Sequence, residues 1–373
     1  MKIVIATDSF KGTLSSHQVC QIIADVIAEY RPNASIVKKP MADGGEGTAR
    51  TMIENANGRW IPKKVTGPLP DMQVDAGFAW FDNDKTALVE MASASGLELL
   101  EPRQMNPLKT TTYGTGQLIK AALDYGAKKI LLAVGGSATV DGGIGAAMAL
   151  GFEFLDHHQN PVPLGGQALN QIEKLIVPEN LTLCPVEVLC DVDNPLCGDH
   201  GAARIYAPQK GADPPMVEQL EKGLTNLAGI VRKTLGLDIK NIPGAGAAGG
   251  LAAGAIAFMN AAAVSGIETI ITRSSLPAEL ESADWVITGE GSFDQQSLRG
   301  KVVYGILKAA EKSPAKIAVI AGQVNVPPQT YQPLGITTAI PCRQPDMSLE
   351  EAIKNAPTLL ADAAKKFATE YLA

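Results

Sequence analysis

Clustered basic residues, aromatics, histidines and long apolar runs are all scarce in this chain of 373 residues. The net charge is −7 and no cluster of five or more basic residues occurs, which argues against nucleic acid and anionic membranes as main partners. Aromatics make up only 5%, too few to build stacking platforms for bases. The five cysteines (Cys20, Cys184, Cys190, Cys197 and Cys342) are odd in number and fit no zinc spacing. Reduced thiols in a cytoplasmic protein are therefore expected. The four histidines have no metal-ligand spacing and lie outside the glycine-rich loops, so no Ser–His or Cys–His nucleophile is suggested. The apolar run at residues 3–6 is too short for a signal peptide and is soon followed by Asp8. The uncharged stretch 241–267 is mostly alanine and glycine and reads as a core helix with a glycine-rich entry, not a membrane span. GxxxxGK[ST] is missing, which excludes a P-loop enzyme, and so is the protein-kinase motif set.

Glycine, by contrast, is plentiful, with 37 residues. The stretch 127–150, AKKILLAVGGSATVDGGIGAAMAL, combines a short apolar strand, a loop with five glycines, and a helix-favouring end. A helix start beside a glycine-rich loop offers unpaired N–H donors and a positive dipole end, which suits an anion. The same DGGxG pattern occurs twice, at 43–47 and at 141–145, each time between a β-prone and a helical run. Two such entries, each with an acid, suit a ligand with two anionic ends and a metal between them.

The chain opens with a strand at residues 2–6, the loop DSFKG at 8–12, and a helix over 15–30. Ligands in α/β sheets gather at the carboxyl ends of strands, which places Asp8 and Lys11 for function. Strand and helix then alternate to residue 66, where GPLP at 67–70 reads as a crossing into another domain. Residues 74–80 and 86–91 form a hairpin around the Asp82–Asp84 turn, and LKTTTYGTG at 108–116 is a further loop before a helix at 117–125. A strand at 186–190 exits into Asp191 and Asn194, where Pro195 ends the ladder. Strands at 285–288 and 316–321 carry GEGSFD (289–294) and Gly322, and one long amphipathic helix begins at 349. Similar ends around a different middle predict an α/β protein of two domains. One is a Rossmann-like parallel-sheet domain from residues 1–66 and 268–373; the other is an α/β domain inserted at 67–267, with the active site in the cleft between them.

Gly244, Gly246 and Gly249 match GxGxxG, with Glu268 at a distance suited to a ribose. An NAD-dependent hydroxy-acid dehydrogenase is the corresponding reading, although 238–243 makes a poor first strand. Glycine loops with carboxylates and lysines spread over two domains fit phosphoryl transfer better. Amides hold phosphates, lysine offsets charge, carboxylates hold Mg²⁺, and one acid accepts the hydroxyl proton. A non-catalytic sensor of a phosphorylated or carboxylate metabolite is the alternative outside enzymes.

The chain resembles the bacterial glycerate kinases. The matching stretches are DSFKGTLSS (8–16), PMADGGEGT (40–48), ASGLEL (94–99), TTYGTG (111–116), GGSATVDGG (135–143), CDVDNPLCG (190–198), APQKGA (207–212), PGAGAAGGL (243–251) and ITGEGSFDQQS (287–297). The resemblance implies ATP-dependent phosphorylation of D-glycerate with Mg²⁺ in organic-acid catabolism, giving 2-phosphoglycerate, or 3-phosphoglycerate as the regiochemical alternative. Small molecules are then the partners, in a monomer or homodimer. Asp191 is the first candidate for the base and Asp8 the second, and Lys11 neutralises phosphate charge. Asp43 and Glu46 are candidates for Mg²⁺ or hydroxyl contacts. Gly44, Gly45, Gly135, Gly136, Ser137 and Thr139 cradle an anionic group. Asp141, Asn194, Gly289, Glu290 and Asp294 complete the binding loops, with Lys210 and Lys301 as charge partners. Thr7, Val140 and Ser292 depart from the proline, asparagine and arginine usual in that family.

Overall fold

A computed structural model describes residues 1–372, and they fall into two compact units. The first contains residues 1–43, 50–56 and the chain from 265 onward; the second contains 44–49 and 57–264. The sequence groups the hairpin arm Arg59–Thr66 with the chain ends, but the arm belongs to the second unit. It pairs antiparallel with Gln73–Phe81, because the GPLP segment is a tight turn closed by the Gly67 N–H on Met72 O at 2.8 Å, not a domain crossing.

The first unit holds a five-stranded, wholly parallel sheet in the order Ile336–Pro341, Lys316–Ala321, Trp285–Thr288, Lys2–Ile5, Ser35–Lys38. Numbered along the unit, this is 2-1-3-4-5, a doubly wound order whose direction of winding reverses between Lys2–Ile5 and Trp285–Thr288. Ile3, Ile5 and Trp285 send side chains to the face covered by helices Ser16–Tyr30 and Ala356–Tyr371, where Ile23, Ile27, Leu360 and Phe367 meet them. Alternate residues such as Val4 and Val286 are also fully buried, so both faces of the sheet are covered. The helix Ser16–Tyr30 starts where Ser15 and Gln18 cap each other's backbone. The C-terminal helical stretch is two helices, not one. Leu349–Lys354 stops at Asn355, and Pro357, which lacks an N–H, sits in the first turn of Ala356–Tyr371.

In the second unit the sheet order is Ala262–Val264, Val186–Leu189, Lys129–Ala133, Thr86–Glu90, Gln73–Phe81, Arg59–Thr66. The first four strands run parallel and the last two join antiparallel. The uncharged stretch forms the buried helix Ala247–Met259 and the edge strand Ala262–Val264. Among the described residues no helix is long and apolar enough to cross a membrane. The YGTG end of the TTYGTG segment opens a helix, Tyr113–Asp124, which starts earlier than its composition suggests. Its glycines serve packing: a Cβ on Gly114 would stand 1.8 Å from Thr66 O.

Candidate active site

In the first unit the loops leaving the parallel strands enclose a cavity of about 370 Å³. The Ala6 N–H donates to Ile287 O at 2.7 Å and the Asp8 N–H to Gly289 O at 2.8 Å, so the loops on either side of the winding reversal are tied together. Gly289 must be glycine, since a Cβ would stand 1.8 Å from Ile320 O. The polar lining contains Asp8, Asp43, Glu290 and Asp294 with Lys11, Lys301 and Arg343. Burial pushes the Asp8 carboxyl up to about 7, helped by the charges of Asp43 and Glu290 and opposed by the Ser9 N–H at 2.7 Å and by Lys11. Burial likewise raises Glu290 to about 7, although Lys301 lies 3.9 Å away. Glu290 Oε1 is buried with no hydrogen-bond partner among the described residues. Ser9, Thr13, Ser292 and Gln323 add uncharged polar groups, and Leu349, Ala352, Ile353, Ala356 and Leu359 supply an apolar side.

The second unit carries its own polar loops at the carboxyl ends of parallel strands. After Lys129–Ala133, the Gly135 N–H donates to Gly44 O at 3.1 Å, and a Cβ on Gly135 would stand 2.4 Å from Gly45 Cα. Only glycine permits two backbones to pass that closely. Lys210 is 1% exposed and braces this loop from inside, donating to Ser137 Oγ at 2.6 Å and to Thr139 O at 2.7 Å. Burial pulls its ammonium down to about 7, against the attraction of Asp141. Thr139 is fully buried and its Oγ1 has no partner among the described residues. Asp191, half-buried, follows the strand Val186–Leu189. Asn194 is engaged internally, accepting from Tyr206 Oη at 2.6 Å and donating to His200 O at 2.9 Å.

Both DGGxG helix entries differ from the sequence expectation in one respect: internal carboxylates fill them. Asp141 is fully buried and accepts from the Thr112 N–H at 2.8 Å and the Gly143 N–H at 3.0 Å. Burial nevertheless raises its pKa. Glu90, a charged residue closing the apolar strand Thr86–Glu90, accepts from the Gly47 N–H at 2.9 Å and the Ala49 N–H at 3.0 Å. Burial raises its pKa too. The donors that composition offered to a ligand are thus partly spoken for by the fold. Glu90 escaped the sequence reading, and its signal was a carboxylate in an otherwise apolar strand. Arg343 was missed as well. Its signal was a cation two residues past the strand Ile336–Pro341, at the carboxyl edge where such sheets bind ligands.

The division between the units falls between Asp43 and Glu46, the candidates for Mg²⁺ or hydroxyl contacts. Asp43 lines the first unit's cavity and exposed Glu46 lies in the second unit's loop. No group of three or more His, Cys, Asp or Glu among the described residues is gathered as a metal site. Mg²⁺, however, needs only one or two carboxylates when phosphate oxygens and water complete its shell. The hard oxygens of Asp8 and Glu290, one of them orphaned, fit that requirement. The GxGxxG glycines come after irregular backbone in place of a strand, and Glu268 pairs with Lys308 at 2.9 Å. The residues departing from the resembled family are also accounted for. Val140 joins the core, Thr7 Oγ1 lies 3.2 Å from Cys20 Sγ, and Ser292 Oγ accepts from Gln323 Nε2 at 3.2 Å.

Fold and site together define a two-unit α/β protein with charged, glycine-built loops at the carboxyl ends of parallel strands. The family model described as the glycerate kinase family matches residues 3–372. The glycerate 2-kinase of Escherichia coli K12 is 41% identical over 371 residues, covering 99% of this chain and 97% of its own. The glycerate kinase of Halalkalibacterium halodurans is also 41% identical, over 98% and 97% of the two chains. An uncharacterised protein of Synechocystis sp. is 46% identical over 96% of this chain and 95% of its own. A crystal structure named for glycerate kinase 2 of Salmonella typhimurium LT2 superposes with a TM-score of 0.85 at 40% identity, covering 99% and 97% of the chains. The chain belongs to the glycerate kinase family, a family of kinases.

Proposed function

We propose that this kinase transfers the γ-phosphoryl group of ATP to D-glycerate, releasing ADP and 2-phosphoglycerate. The observation that carries the reading is the first unit's cavity, where carboxylates held near neutrality share one space with two lysines and an arginine. Phosphoryl transfer needs that mixture, because cations offset the oxygens of the transferred group while acids hold metal and accept a proton. Asp8 and Glu290 are the residues proposed to hold Mg²⁺, which when bound neutralises charge on the phosphates. Lys11 and Lys301 carry the remaining positive charge to the same cavity. In the second unit, the loop 135–139 braced by Lys210 is proposed to receive the glycerate carboxylate. The 2-hydroxyl oxygen of glycerate forms the new bond to phosphorus as the bond to the ADP oxygen breaks. Asp191 is the proposed acceptor of the hydroxyl proton.

A coupled ADP-release assay over a panel of hydroxy acids, with phosphorus NMR of the product, tests the reading. Phosphate on the 3-hydroxyl would overturn the regiochemistry. An absorbance change at the nicotinamide band would instead identify a dehydrogenase, and a ligand-induced melting shift without turnover would identify a sensor. Asp191→Asn is expected to lower kcat by about 10²-fold. An unchanged rate would move the proton acceptor to Asp8, the second candidate, and leave the metal to Glu290.

A further inference from the structure

The first unit's cavity has two chemistries in its lining. One part carries Lys11, Lys301 and Arg343 with oxygen donors between them. The other is apolar surface from the consecutive helices Leu349–Lys354 and Ala356–Tyr371. Leu349 and Ile353 stand four residues apart on one helix face, and they remain 59% and 46% exposed. Large aliphatic side chains left in water beside a charged pocket gain free energy from any planar apolar group laid over them.

A three-carbon hydroxy acid has no such group, and it would leave most of a space of about 370 Å³ to water. A nucleoside triphosphate has both halves. Its base sheds water against aliphatic side chains, and its phosphates need cations and metal-holding acids. The cavity also lies at the carboxyl edge of a doubly wound sheet, beside the point where strand order reverses.

We infer that this cavity is the nucleotide site, with the base against Leu349 and Ile353 and the polyphosphate toward Lys11, Lys301 and Arg343. The inference rests on the phosphoryl-transfer reading and adds which residues of the cavity take the base.

The test uses the full chain carrying Leu349→Ser and Ile353→Ser together, with Leu334→Ser as control. Leu334 is 51% exposed and does not line the cavity. Calorimetric titration with Mg²⁺ and a non-hydrolysable ATP analogue is expected to show about tenfold weaker binding in the double variant and no change in the control. Inorganic tripolyphosphate, which lacks a base, is expected to bind wild type and double variant alike, and KM for D-glycerate to stay within about twofold of wild type. The assignment is overturned if analogue affinity is unchanged, if tripolyphosphate weakens equally, or if KM for glycerate rises instead. It is also overturned if wild type binds no nucleotide. Wild type that binds the analogue and loses it in the double variant, but phosphorylates no hydroxy acid, would support the assignment and sink the reaction proposed above.

Discussion

Lys210 shows how a residue's surroundings reverse its expected role. Its type and motif suggest a cation reaching for phosphate, yet its ammonium is buried and spends two donors on Ser137 and Thr139. An unfolded lysine keeps its proton up to about its ordinary 10.5, whereas the folded one releases it near 7. Between those limits the unfolded chain binds more protons, so stability rises with pH from about 7 to 10.5, and the cost of burial is full below 7. Lys210→Met removes that titration. Urea denaturation is expected to show wild type gaining on the order of a few kcal/mol relative to the variant between pH 7 and pH 10. A constant difference across that range would mean the folded ammonium keeps its proton. Glu90 and Asp141 carry the same lesson, since each is an acid whose acceptors are used by the backbone it organises. None of the three could be sorted into brace or ligand without knowing what surrounds it.

At the scale of elements, periodicity located most strands and helices, because burying one face requires apolar residues at the period of the element. The helix Ser16–Tyr30 and the strands Trp285–Thr288 and Lys316–Ala321 were legible in this way. Glycine-rich helix starts were not, because glycine serves turns, close packing and ligand approach alike. The helix Ala247–Met259 illustrates the ambiguity. Ala248, Gly249 and Gly250 have positive φ, and a Cβ on Gly249 would stand 1.9 Å from Thr139 O. The glycine pattern that resembles a dinucleotide fingerprint thus answers to packing against the 135–139 loop. Gly249→Ala is expected to destabilise the chain by about 3 kcal/mol or more, seen as a fall in melting temperature with no NAD dependence. A variant that melts like wild type would refute the packing role.

For the whole molecule, family membership and the two-unit fold bear on how stability responds to ligand. Nucleotide bound only to folded protein stabilises it by about 2.7 kcal/mol at a hundred times its Kd. Calorimetry of a chain this size is then expected to show a melting shift of about 3 °C with ATP and Mg²⁺. EDTA is expected to remove most of that gain, because the carboxylates of Asp8, Asp43 and Glu290 would otherwise face the phosphates unscreened. A shift equally large in EDTA would exclude a metal role for these acids.

The α/β class, the use of both chain ends in one parallel sheet, and the roster of acids, lysines and glycine loops at strand exits were determined by the sequence alone. Local periodicity and the Cβ-free backbone of glycine act over a few residues and are readable there. Tertiary structure alone decided that Arg59–Thr66 pairs into the second unit and that Glu90 and Asp141 occupy the helix entries. It also turned Lys210 inward and set Leu349 and Ile353 beside the charged cavity. Those outcomes depend on which residues distant in the chain become neighbours, and on the water that each burial removes.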